Sequence, residues 1–90
     1  MTLLTLPKQM AGLAGGSTRH TLDARNVADA FRQVSLTAPM LHSQIFDSEN
    51  NVRQFIGLFV NNKQVYSMPS ESEMLAPDSE ILIIKSVAGG

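Results

Sequence analysis

The chain has 90 residues, seven of them basic and eight acidic, a net charge of −1 and no cysteine. That length suits one compact domain with a modest core and leaves little room for a large internal active site. The near-neutral charge argues against nucleic acid as the main partner, because phosphate binding needs a basic stripe; the missing cysteine excludes disulfides, thiolate zinc sites and cysteine nucleophiles.

A reducing, cytoplasmic setting is the expectation for a cysteine-free chain of this size. Residues 1–7 carry no basic leader, and the longest apolar run, residues 55–60, is far too short to span a bilayer. Neither a targeting segment nor a membrane partner is expected.

Residues 2–6 are apolar, end at Pro7 and read as a first strand. Gly12, Gly15 and Gly16 then read as a loose loop leading to a second strand at residues 19–22. Residues 26–34 carry the clearest helical signal, with Val27, Ala30, Phe31 and Val34 spaced i, i+3, i+4, i+7 on one face. Asn26 suits the N-cap, and Asp29 three residues on resembles a capping box. Pro39 suits the first position of a second, shorter helix whose apolar side is Met40, Leu41, Ile45 and Phe46.

Residues 47–51 are a polar turn, and residues 54–60 form the strongest strand pattern, rich in aromatic and β-branched side chains. Asn61-Asn62 predicts a tight hairpin turn, because asparagine tolerates positive φ, with Val65 and Tyr66 in a short return strand. Residues 68–78 contain Pro69 and Pro77 and read as loop; residues 81–85 are the last strand. The order is strand, strand, helix, helix, strand, strand, strand. One main helix laid across a mixed sheet of about five strands, with first and last strands parallel at its centre, buries every apolar face: an α+β, β-grasp arrangement.

Alternation places Ile56, Leu58 and Val60 on one face of their strand and Phe55, Gly57 and Phe59 on the other, and it splits Ile81 and Ile83 from Leu82 and Ile84. Both faces are apolar, and periodicity does not say which meets the helix. The spare face is either a partner surface or is covered by the second helix or the 68–78 segment.

The chain ends Val87-Ala88-Gly89-Gly90. A terminal glycine pair arises in about 0.5% of chains at roughly 7% glycine, so its rarity carries less weight than its place directly after a buried strand. Glycine has no side chain to block a narrow tunnel, and it leaves the terminal carboxylate open. That carboxylate, ionised at neutral pH with a pKa near 3.5, becomes an electrophile only when a partner joins it to a leaving group such as AMP. The expected division is a domain at residues 1–86 and a flexible tail at 87–90.

The remaining residues carry weaker signals. His20 and His42 have no second ligand at a metal spacing, and the Gly12–Ser17 stretch lacks the lysine of a phosphate loop. Asp23 with Asp29, and Glu71 with Glu73, read as solvated surface or caps. Lys85, beside the tail, either pairs with an acidic partner group or keeps the strand end soluble.

Several stretches together resemble one family. Val87-Ala88-Gly89-Gly90 looks like the ending of the MoaD/ThiS sulfur-carrier family. Residues 26–31, Asn-Val-Ala-Asp-Ala-Phe, are similar to its helix start, a polar cap followed by V-x-E-A-L, and residues 52–62 resemble its segment R-x-F-V-N-V-Y-V-N-G. The last segment and the tail lie nearest the CysO branch, which serves cysteine synthesis. The chain departs at Gly57, where the family has a polar residue, at Lys85-Ser86, which replace a proline-containing pair, and at Pro77-Asp78-Ser79-Glu80, which replace a D-G-D turn.

The resemblance implies a carrier that is not itself an enzyme and binds no cofactor. An adenylating enzyme of the ubiquitin-activating type, using ATP and Mg²⁺, would activate Gly90. A sulfur donor would then make a thiocarboxylate, and a biosynthetic enzyme (in cysteine, molybdenum-cofactor or thio-metabolite synthesis) would accept the sulfur. It also implies that Ile56, Leu58, Val60, Ile81 and Ile83 face the helix. Partners would grip Phe55, Phe59, Leu82 and Ile84 on the open face, with Lys85, Val87, Ala88 and Gly89. The alternatives are a ubiquitin-like modifier joined to lysines through Gly90, and a non-covalent interaction domain with an inert tail.

Overall fold

The computed structural model describes residues 1–67, 75–76 and 78–86. Among these residues the elements in chain order are β1 (Thr2–Thr5), α1 (Lys8–Ala11), a 3₁₀ turn (Gly12–Ala14), β2 (Arg19–Leu22), α2 (Val27–Thr37), α3 (Pro39–Ile45), β3 (Ile56–Val60), β4 (Lys63–Val65) and β5 (Glu80–Lys85). The strands form one sheet in the order β2-β1-β5-β3-β4, with β1 and β5 parallel and the other pairs antiparallel. This is the mixed sheet and main helix expected from the pattern.

The main helix starts where a side chain can satisfy its first free amides. Asn26 is extended (φ −149°), and its Oδ1 accepts from the Asp29 N–H at 2.7 Å. Asp29 in turn pairs with Arg32 one turn on. Val27, Ala30, Phe31 and Val34 are buried on the face that meets Leu4, Leu58, Ile81 and Ile83 of the sheet. Each large apolar side chain so buried contributes about 1.5–3 kcal/mol before chain entropy is counted. α3 opens on Pro39 and adds Leu41 and Ile45 to the same core, while Phe46 meets Phe31 edge to face, with centroids 4.9 Å apart. The second helix therefore packs on the core side, and among the described residues no helix covers the other face of the sheet.

Three expectations need correction. The β1–β2 connection is not a loose loop: α1 and the 3₁₀ turn fill it, bury Met10 and Ala11, and end at Gly15 and Gly16, both at positive φ. A single helical turn has no periodicity to read. β3 begins at Ile56, not at residue 54, because Phe55 has φ +69° and cannot continue a strand. β4 spans Lys63–Val65, so Tyr66 lies outside it. The hairpin turn is as expected, with Asn61 and Asn62 at φ +50° and +70°. Most of the 68–78 loop lies outside the described residues.

Candidate functional site

β5 alternates cleanly. Ile81 and Ile83 are buried, whereas Leu82 and Ile84 are 39% and 42% exposed on the opposite face. Their antiparallel partners on β3 are Phe59, opposite Leu82, and Gly57, opposite Ile84. Phe59 is half-buried, and Leu3 and Thr5 of β1 continue the face toward the exposed Arg19 and Thr21 of β2. The result is an apolar stripe across the centre of the sheet, on the side away from the helices.

Gly57 shapes that stripe. A Cβ at this position would lie 2.5 Å from Cγ1 of Ile84 and 3.1 Å from Cε2 of Phe59. The two side chains thus close over bare backbone. Gly57 itself is buried.

Phe55 does not belong to this stripe by strand alternation. It sits in a turn that the Ile56 N–H closes on the Arg53 carbonyl at 3.1 Å, and the residue is 44% exposed. It lines a shallow cleft at the end of the sheet with Gln9 of α1, Gln44 of α3, Arg53, Gln54, Ile56, Lys85 and Ser86. Lys85 shares the side of Ile83 but lies past the core, exposed, opposite Ile56. Ser86 donates its N–H to the Phe55 carbonyl at 2.7 Å, which carries the β3–β5 ladder to the last described residue before the tail. Val87, Ala88, Gly89 and Gly90 lie outside the described residues.

The structure thus brings Phe59, Leu82 and Ile84 together, and separates Phe55 and Lys85 onto a neighbouring surface. Reading the residues in order missed this cleft, because its walls come from four distant segments; the one available signal was the polar run from Asp47 to Gln54 before the strand. Its electrostatics are one-sided. Among the described residues Arg53 and Lys85 are its charged lining residues, and none of the lining is acidic.

Elsewhere, the hydrogen bond from Arg32 holds the Asp29 carboxyl below the usual carboxylate range, and partial burial pushes the His42 imidazole down. Among the described residues no three His, Asp or Glu side chains cluster to hold a metal, and no helix is long and apolar enough to cross a membrane.

No protein-family model and no curated protein sequence matches the chain. Solved structures do. A chain of the Amycolatopsis orientalis BexX/CysO complex superposes with a TM-score of 0.81 at 17% identity, covering 100% of both chains. CysO of Mycobacterium tuberculosis gives 0.78 at 13% identity, covering 97% of this chain and 100% of that one. SAMP1 of Haloferax volcanii gives 0.69 at 23% identity, covering 99% and 98%. These identities speak to architecture, and with the parallel β1–β5 pair and the crossing helix they place the chain in the ubiquitin-like β-grasp fold.

Proposed function

We propose that the chain is a sulfur carrier that works through its C-terminal Gly89-Gly90. In the first step a Gly90 carboxylate oxygen attacks the α-phosphate of ATP in a partner enzyme. Pyrophosphate leaves, and the product is an acyl adenylate. Hydrosulfide released by a donor then attacks the carbonyl carbon, AMP departs, the sulfur loses its proton, and Gly90 becomes a thiocarboxylate that a biosynthetic enzyme consumes. The carrier supplies the carboxylate and the docking surface; Mg²⁺, ATP and the groups that stabilise developing charge belong to the partner. The setting proposed is the cytoplasm, which a cysteine-free chain suits.

The observation that carries this reading is the course of β5. The strand bears Leu82 and Ile84 on the open apolar stripe and runs directly into Ser86, one residue before the tail. Four extended residues reach about 14 Å at most. A partner holding Gly90 in its active site therefore has to meet the end of this sheet. The architecture shared with CysO chains over the full length adds support.

A second reading has its own support. The likeness to SAMP1, the small archaeal modifier protein 1, favours a modifier joined to target lysines through the same activated Gly90. ATP–pyrophosphate exchange by a ubiquitin-activating-type enzyme tests the step both readings share. Exchange should require the carrier and should disappear when Gly90 is deleted. Exchange that persists without Gly90, or never occurs with an enzyme active on its own carrier, contradicts activation. Gly-Gly remnants on target lysines would favour the modifier.

A further inference from the structure

The cleft at the sheet end is a second surface, separate from the apolar stripe. Its centre is Phe55, held at φ +69° in the turn from Arg53 to Ile56. Glycine or asparagine is the usual occupant of such a position, and a bulky residue there is strained. Full burial does not repay that strain, since the residue is 44% exposed. Backbone strain of this kind, where it occurs, concentrates at binding sites.

Two cations, Arg53 and Lys85, line the same cleft. Arg53 is fixed by its Nε donating to the Ser43 carbonyl at 2.6 Å, and Lys85 stands across from Ile56 on β5. Among the described residues neither makes an ion pair, and the rest of the lining is Gln9, Gln44, Gln54, Ile56 and Ser86. An apolar ring that shares a cleft with two cations and three amide side chains complements an apolar side chain flanked by carboxylates.

We propose that this cleft binds an acidic segment of the partner protein that handles the tail. Its apolar residue lies against Phe55 and Ile56, and its carboxylates meet Arg53 and Lys85. The partner's identity rests on the carrier reading, but binding at the cleft does not require Gly90. A nucleotide phosphate would satisfy the cations alone; the apolar floor favours the peptide.

The test titrates the ¹⁵N-labelled full-length chain with a synthetic peptide, acetyl-Glu-Asp-Leu-Glu-Asp-amide. A lysine-substituted copy and inorganic phosphate serve as separate probes. The acidic peptide should produce saturable amide shifts around Arg53, Phe55, Lys85 and Ser86, and these should weaken with added salt. The lysine copy should produce none. Arg53→Glu combined with Lys85→Glu should weaken binding by roughly tenfold, with a dispersed spectrum showing that the fold survives. Arg53→Gln, a milder change, should weaken it less.

Full-length Gly90→Val should bind as the parent does, which separates this proposal from the tail chemistry: failure of the parent chain to be adenylated, with peptide binding retained, would count against the carrier reading alone. Absence of saturable shifts, equal binding of the lysine copy or by the doubly reversed variant, or saturation by phosphate but not by peptide would overturn the cleft proposal.

Discussion

Phe55 and Phe31 show how differently one residue type behaves in two settings. Phe31 lies at 1% exposure under α2, edge to face with Phe46. Removing it leaves a cavity, and Phe31→Ala should cost about 3–5 kcal/mol in urea unfolding. Phe55 is half out of the core and left-handed, a conformation that costs an ordinary residue about 1–2 kcal/mol and that asparagine adopts more readily. Phe55→Asn should therefore change stability by less than about 1 kcal/mol, because relief of the backbone offsets the lost contact of the ring. A loss comparable to Phe31→Ala would show that the ring is a core element. The positive φ was not legible beforehand: Phe55 continues the apolar run of β3, and nothing in residues 52–60 marks the break.

At the scale of elements, legibility followed length and pattern. α2 was readable because four buried side chains repeat at the helical period and Asn26 caps them; β5 was readable because six residues are enough to fix a run. The β3–β4 turn declared itself through two adjacent asparagines. α1 did not, since four residues between Pro7 and Gly12 show no repeat, and the glycines after it suggest loop. The apolar stripe was half legible: alternation named its members on β5, but only the packed helix decided which face was open. Its smoothness depends on Gly57. Gly57→Ala would place a Cβ where Ile84 now lies, and Ile84, being exposed, can swing outward to admit it. The expected result is a modest loss, about 1–2 kcal/mol or less, with the displaced Ile84 weakening association with an adenylating partner more than it weakens the fold. Equal affinity of the variant, measured by calorimetry, would mean that the stripe is not gripped at β3–β5.

At the scale of the whole molecule, two groups among the described residues, His42 and Asp29, have shifted titrations and couple stability to pH. Burial beside Phe46, with ring centroids 5.2 Å apart, pushes His42 below the ordinary imidazole value of 6.5, so the unfolded chain takes up that proton first. The contribution is complete above pH 6.5 and is lost as pH falls from there through the lowered folded value. Asp29, held down chiefly by Arg32, adds a second loss that begins only below its ordinary value of 3.8. The urea midpoint should thus decline as pH drops below about 6.5, and His42→Gln should flatten the first part of that decline while leaving the more acidic part. An unchanged slope in the variant would remove His42 from the account. The central claim concerns the tail that this domain carries, and intact mass spectrometry tests it most directly. After co-expression with an adenylating enzyme and a sulfur donor, the chain should show one oxygen replaced by sulfur, and the change should map to Gly90. An unmodified mass, with the same enzyme demonstrably loading another carrier, would contradict it.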